Sequence, residues 1–357
     1  MSHDVLILSG SIGGGHDSVA HACREALQEV SRTAVVRDCM RLLGRVQSSV
    51  ADVSYRAMLG LAPLYDAFHF SALRAGSGLA TRSAAKATER LALALDQELD
   101  SPGLDAVIAV FATGAGVAGR ARARRPSLGA FVVVTDATAH RIWVQPGVQR
   151  YIVFSQMAAG SVRQYDPHAD VVVVEPPVRK QFLAPPDATD ARRSLGIDDD
   201  QPVVLVMGGA WGRGPLTEIA LALAEREWMV VLLAGSNRKL LARGRAPRRG
   251  PRPVVLAHSD DVARLMAAAD VVVTSPGQAC HEARAVGRPL VVMDTVPGHG
   301  RENLLAELAQ GGALVSAPRP DAVVAAVGAV FNGVVTTPLP PAPGTWTKQF
   351  LEAVSLS

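Results

Sequence analysis

Two glycine-rich stretches are the places where this chain is best equipped to meet an anion. The first, Leu8-Ser9-Gly10-Ser11-Ile12-Gly13-Gly14-Gly15-His16, ends a short β-branched run and opens into helical apolar spacing over Ser18–Val30. Glycine lets the backbone approach a ligand closely, and a helix N-terminus presents unpaired N–H groups at the positive end of its dipole. His16 stands in that first turn, a setting suited to a neutral imidazole that takes a proton as general base, or to one that only hydrogen-bonds the loop. Asp17 beside it acts in the opposite sense to the dipole. The second stretch, Met207-Gly208-Gly209-Ala210-Trp211-Gly212-Arg213-Gly214-Pro215, again follows a strand and reads as a diphosphate seat, with Pro215 fitted to the first turn of a helix. Downstream, Ser275-Pro276-Gly277 leads into a helix carrying Glu282 next to His281. That carboxylate is placed either to take both hydroxyls of a ribose or simply to be solvated. The loop Pro297-Gly298-His299-Gly300-Arg301-Glu302-Asn303 after Asp294 holds enough hydrogen-bonding groups for a sugar or phosphate.

Rival chemistries fail on spacing. A dinucleotide site is suggested by Asp38 at the end of the second strand, but GxGxxG read from Gly13 puts its third glycine on Ser18, and read from Gly10 puts its second on Ile12. No Gly-Lys-Ser/Thr follows the second loop, which argues against a Walker-type ATPase.

Elements able to position these groups recur in a regular order. Short apolar runs at Val5–Leu8, Ala34–Val36, Ala106–Val110, Phe131–Val134, Tyr151–Phe154 and Val171–Val174 alternate with helical spacing. The alternation begins again at Val203–Met207, Val230–Leu233, Val254–Leu256, Val271–Val273 and Leu290–Met293. It predicts an α/β protein of two parallel sheets. The proline-rich segment Glu175–Pro186 can continue neither a helix nor a central strand and marks the boundary. We expect an N-terminal domain over 1–178, a C-terminal domain over 179–335, and a tail over 336–357 whose helix near Thr347–Val354 returns to the first domain.

A length of 357 residues suits two cores, and a composition 48% hydrophobic and 19% charged is that of a folded protein. Cys23, Cys39 and Cys280 are scattered and odd in number, so no disulfide framework or zinc site is expected, and a reducing cytoplasm fits. The apolar run at the N-terminus is cut at Ser9-Gly10, and nowhere do about 18 apolar residues run together, so neither a secretion signal nor a membrane-spanning helix is expected. Net charge is only +3, but Arg41, Arg45, Arg56, Arg74, Arg82, Lys86, Arg90 and the run Arg120 to Arg125 crowd the first half. They form either a solvated face or an attraction to an anionic membrane. The apolar stretch Met58–Phe70 reads either as a buried helix or as a membrane-interface segment.

Taken in order, the motifs resemble those of the monogalactosyldiacylglycerol synthase and processive diacylglycerol glucosyltransferase group, a glycosyltransferase family 28-like set, over nearly the whole chain. The matching residues are Gly13-Gly14-Gly15-His16; Tyr55 to Pro63-Leu64-Tyr65; and Thr135-Asp136 with His140 and Trp143. In the second half they are Met207-Gly208-Gly209 through Gly214-Pro215; Gly235-Ser236-Asn237 with Leu240; Ser275-Pro276-Gly277 through Glu282-Ala283; and Pro297-Gly298 with Asn303. The resemblance implies a GT-B fold, two Rossmann-like domains with parallel sheets facing across a cleft. It also implies inverting, metal-independent transfer of a hexose from a UDP-sugar to a hydroxyl of a lipid acceptor.

By the same resemblance His16 is the base, with Asp136 as competitor or partner. Gly13, Gly14, Gly15, Tyr65, His140 and Trp143 lie on the acceptor side. Gly208, Gly209, Trp211, Gly212 and Gly214 seat the diphosphate, the backbone near His258 reads the uracil, Glu282 holds the ribose with Gly277 also on the donor side, and His299, Gly300 and Asn303 face the donor sugar. No cofactor beyond the UDP-sugar and no nucleic-acid partner are implied, and a peripheral contact with the inner face of an anionic cell membrane is. The family usually has glutamine with a second glutamine or glutamate where this chain has His299 and Gly300, so the hexose stays open. A soluble natural-product or nucleoside acceptor, and a non-catalytic nucleotide-sugar-binding protein, are the alternatives.

Overall fold

The structure, a computed structural model, describes residues 4–11, 15–44, 66, 69–76, 78–209, 212, 214–247, 249–336 and 339–355. Gly13, Gly14, Tyr65 and Trp211 lie outside them, as does most of Met58–Phe70. The chain divides into two compact units. Unit 1 is Met1–Pro177 with Pro297–Glu302 and Gly344–Ser357; unit 2 is Val178–Val296 with Asn303–Pro343. Residues 297–302 fall within the stretch 179–335 that the sequence reading assigned to the second domain.

Unit 1 is built on six strands, β1 (Val5–Ser9), β2 (Ala34–Asp38), β3 (Ala106–Ala109), β4 (Gly129–Val133), β5 (Arg150–Val153) and β6 (Val171–Val173). They lie in the order β2-β1-β3-β4-β5-β6, with every pairing parallel. Successive side chains enter opposite faces. Leu6, Leu8, Val107, Val132 and Val134 pack with Leu91, Leu95, Ala115 and Trp143 on one side. Val5, Ile7, Ile108, Phe131 and Ile152 pack with Val19, Cys23, Leu27 and Phe350 on the other. Because both faces are covered, these strands read as unbroken apolar runs. The C-terminal helix Thr345–Ala353 belongs to this unit: Phe350 is fully buried, Arg150 donates to the Ala353 carbonyl at 2.9 Å, and the Glu175 N–H donates to Gln349 at 2.7 Å.

Unit 2 repeats the plan with β7 (Val203–Met207), β8 (Met229–Leu233), β9 (Val254–Leu256), β10 (Val271–Thr274), β11 (Leu290–Met293) and β12 (Ala313–Ser316). These lie in the order β12-β11-β10-β7-β8-β9, again all parallel. Strand β12 has no counterpart among the runs read from the sequence. It is a four-residue edge strand with Val315 exposed, so it carries little of the apolar signal that marks the inner strands.

Each sheet places its first strand in the interior, so the chain leaves it to one side and later crosses to the other. That reversal opens a crevice at the carboxyl ends of β1 and β3 in unit 1, and of β7 and β10 in unit 2. Cys23, Cys39 and Cys280 are free and buried, and burial pushes the Cys39 thiol up to about 12, with Asp38 adding to it.

The helix Ala112–Arg124 crosses the Pro146-Gly147 turn at backbone contact distance: a Cβ on Gly119 would fall on the Pro146 carbonyl, and one on Gly147 on the Gly119 carbonyl. Gly119→Ala should therefore cost about 2–3 kcal/mol, as overpacking against rigid backbone does, and lower the Tm of this unit by roughly 5–10 °C. Gly160→Ala, on a helix with nothing within 4 Å of the added carbon, is the control and should leave Tm unchanged or raise it. Equal melting of the two variants would refute the close crossing.

Candidate functional site

The carboxyl end of β1 is where unit 1 gathers its titratable groups. Buried Ser9 donates its hydroxyl to Asp17 at 2.6 Å, tying the strand end to the first turn of helix Gly15–Glu29. Gly10 is needed because a Cβ there would meet the Phe111 ring at 2.6 Å. Phe111 in turn stands edge-on to His16, with ring centroids 5.2 Å apart. The His16 Nδ1 lies 2.9 Å from the Val110 carbonyl beyond β3 and 2.9 Å from the Thr135 hydroxyl beyond β4. A carbonyl oxygen can only accept, so Nδ1 carries the proton and Nε2 keeps the basic lone pair. The first helical turn and the ends of β3 and β4 thus fix both the tautomer and the orientation of the ring.

Asp136 follows Thr135 directly. The Trp143 indole N–H donates to its Oδ2 at 3.0 Å, and the His140 ring lies 6.2 Å from that of Trp143. Burial works to raise the Asp136 carboxyl, but His299, His16 and His140 nearby, with the indole donor, outweigh it and hold the group below the usual carboxylate range. His140 is pushed down to about 4, first by burial, then by His69 and His299, with Asp136 and Glu302 only partly opposing. Burial likewise lowers His299.

His299 and Gly300 reach this cluster because residues 297–302 are fastened inside unit 1. The Gly298 N–H donates to Asp66 at 2.6 Å, and Arg301 reaches the other Asp66 oxygen at 3.0 Å. The Glu302 carboxylate takes His69 at 2.9 Å and Arg74 at 3.5 Å. Burial would raise Glu302, but His69, Thr138 and Arg74 hold it low. The rings of His69 and His299 are 6.2 Å apart. His16, Asp136, His140, Trp143, His299 and Gly300, split in the sequence reading among base, acceptor side and donor sugar, thus belong to one unit. Asp66, His69, Arg74 and Glu302 were not read as site residues. Only Glu302 had a visible signal, inside the polar loop, since the partners of a buried histidine are set by tertiary contact.

Unit 2 presents its own crevice. Gly209, Gly212 and Gly214 have φ of +66°, +57° and +97°, and Gly277 has +143°. A Cβ on Gly209 or Gly277 would meet nothing within 4 Å, so it is backbone conformation, not crowding, that asks for glycine there. Helices Leu216–Ala224 and Gln278–Ala285 start just beyond these loops, turning their first N–H groups toward the ends of β7 and β10. Two buried hydroxyls, Thr217 at the first turn and Thr274 at the end of β10, take no hydrogen bond among the described residues. Glu282 is buried just over a turn into the second helix, and Arg179 donates to its Oε1 at 2.8 Å. Burial raises its carboxyl and Arg179 offsets this in part. His258 is exposed and pairs with Asp260 at 3.2 Å, and Asn303 is half-buried.

Residues 16–168 match the sequence model of the monogalactosyldiacylglycerol (MGDG) synthase family. A probable monogalactosyldiacylglycerol synthase 2, chloroplastic, of Oryza sativa subsp. indica is 27% identical over 317 residues, 83% of this chain and 66% of that protein. The processive diacylglycerol beta-glucosyltransferase of Bacillus pumilus is 29% identical over 180 residues, 48% of this chain and 47% of that protein. The chain thus spans about half to two thirds of the length of the curated relatives it matches. In three dimensions it is similar to Acinetobacter baumannii MurG, with a TM-score of 0.57 at 16% identity over 99% of this chain and 95% of that one. That likeness identifies the fold as GT-B in class, two Rossmann-like α/β units each on a six-stranded parallel sheet.

The depressed histidines give unit 1 a particular acid response. Unfolded, His140 and His299 take up protons with ordinary affinity near pH 6.5, whereas folded they do not until lower pH. Their contribution is complete above about pH 6.5 and is lost as pH falls, for His140 down to about 4, at up to about 1.4 kcal/mol per pH unit for each proton. Calorimetry between pH 7 and 5 should show the Tm of His140→Gln falling less steeply than that of the parent chain. Parallel slopes would mean that His140 titrates normally.

Proposed function

We propose that the chain, which is similar to the monogalactosyldiacylglycerol synthase family over residues 16–168, is a glycosyltransferase moving a hexose from a UDP-sugar to the hydroxyl of a diacylglycerol-type lipid. The observation that carries this reading is the His16 imidazole, held at Nδ1 by Val110 and Thr135 with its Nε2 free of that duty, beside an Asp136 carboxylate kept ionised. In the proposed reaction the acceptor oxygen attacks the anomeric carbon and its proton passes to His16 Nε2. The bond from that carbon to the phosphate oxygen breaks, and its electron pair leaves with UDP. Asp136 stabilises the imidazolium that forms. It does so through charge rather than by taking the proton, since the Trp143 N–H and the surrounding imidazoles favour its ionised form.

Unit 2 supplies the donor site in this reading. The N–H groups of the Gly208–Gly214 loop and of the helix after it take up charge on the departing diphosphate, which makes a metal unnecessary, and Glu282 accepts from the ribose hydroxyls. A single displacement inverts the anomeric centre. His299 and Gly300, placed with Asp136, are the residues that select the hexose. Among the described residues no helix is long and apolar enough to cross a membrane, so a lipid acceptor would be met by peripheral contact with a bilayer.

Labelled UDP-glucose, UDP-galactose and UDP-N-acetylglucosamine, each offered with diacylglycerol in mixed micelles, test the proposal. One of them should give a labelled glycolipid with the opposite anomeric configuration. Transfer only to a soluble alcohol would replace the lipid acceptor, and binding without turnover would leave a nucleotide-sugar-binding protein. His16→Ala should lower turnover by roughly 10² to 10⁴ with UDP affinity nearly unchanged, as loss of a general base does. Near-normal turnover in that variant would move the role to Asp136.

A further inference from the structure

Glu282 is a carboxylate in an unusual position: its side chain is only 5% exposed, yet it has a single hydrogen-bonding partner among the described residues. That partner is Arg179, the last residue before the short helix Lys180–Leu183. Its Nε donates to Glu282 Oε1 at 2.8 Å, and its guanidinium carbon lies 4.8 Å from the centroid of the Phe182 ring. Arg179 is thus fixed from two sides, by a carboxylate and by an aromatic face of the same short helix. The other Glu282 oxygen, Oε2, takes no hydrogen bond among the described residues.

We infer that Arg179 is a positioning residue of the donor site, holding Glu282 by Oε1 so that Oε2 is presented to the ribose hydroxyls. This rests on the proposed ribose-binding role of Glu282. The physical case is a balance of two effects. Removing a carboxylate from water favours its protonated form, and a protonated Glu282 offers one acceptor fewer to a diol. The adjacent guanidinium favours the charged form and restricts the rotamer at once. Among the described residues, Arg179 is the charged group that acts on the Glu282 carboxyl. Cys280 near it carries a buried neutral thiol, and Arg284 is engaged with Glu307 and the Gly311 carbonyl.

The experiment is UDP binding by calorimetry from pH 5 to 8 with the full chain and the variants Arg179→Met, Arg179→Lys and Glu282→Gln. Arg179→Met keeps the apolar stem over Phe182 but removes the charge. It should weaken UDP about tenfold at pH 6 and move the pH at which affinity is lost upward by about one unit, the usual effect of an adjacent opposite charge. Arg179→Lys should restore most of the pH profile while recovering only part of the affinity, because an ammonium supplies charge without the planar fork. Glu282→Gln should weaken UDP and flatten the profile. A merely structural Arg179 would lower affinity equally at every pH, and that result, or a parental profile in Arg179→Met, would overturn the inference while leaving the ribose site standing. Should Arg179→Met not fold, an unshifted pH profile in Arg179→Gln would overturn it equally. If Glu282→Gln binds UDP as the parent does, the ribose reading itself falls and the inference with it.

Discussion

Both candidate sites depend on where the chain starts each sheet. A parallel sheet must carry its connections over its faces, and a sheet whose first strand is internal must reverse its direction of growth once. At that reversal two neighbouring strands send their following segments to opposite faces, leaving backbone ends that nothing covers. β1 and β3 form this pair in unit 1, and β7 and β10 in unit 2. Gly10 and the start of helix Gly15–Glu29 follow the first of these strands, and Gly208 to Gly214 follow the third. These positions combine helix N-termini with close backbone approach, which is why the proposed chemistry is assigned to them.

The constraint also explains why the flanking residues are so apolar. Strands buried on both faces cannot alternate with polar side chains, so the polar groups that a strand itself brings to a site are displaced to its carboxyl end. Ser9 and Thr274 are the last residues of their strands, and Thr135 and Asp136 follow within three residues of the end of β4. A side chain in such a place is oriented by the strand behind it and desolvated by the helices beside it. His16 illustrates the result: its ring is set by carbonyl and hydroxyl groups that belong to two different strand ends.

Much of this was legible in the sequence, for reasons that differ by element. Eleven of the twelve strands announce themselves as β-branched runs, and β12 does not, since at a sheet edge Ala313–Ser316 has little to bury. The positive φ of Gly209, Gly212, Gly214 and Gly277 follows from chemistry that only glycine meets without strain, so those turns could be placed by residue type. The grouping of His299 with His16 and Asp136 could not. It depends on Asp66, His69 and Arg74 meeting Gly298, Arg301 and Glu302, a pairing across more than two hundred residues that no local pattern encodes. Arg179 has no local signal for a similar reason: it lies inside the proline-rich segment Glu175–Pro186, and only the fold brings it to Glu282.

The two site carboxylates meet the same burial penalty with opposite results, and the difference bears on what each can do. Asp136 has an indole donor and three imidazoles around it, and ends below the ordinary carboxylate range. Glu282 has one half-exposed guanidinium and ends above it. A carboxylate as firmly ionised as Asp136 is a poor proton acceptor but a good partner for a cation that appears and disappears, as an imidazolium does during general-base catalysis. A carboxylate poised like Glu282 is sensitive to whatever neutralises or replaces its partner, which suits the proposed role of binding and releasing a neutral diol. Exchanging the two environments would spoil both proposed roles: Asp136 without its histidines would compete for the acceptor proton, and Glu282 among imidazoles would bind them in preference to a ribose.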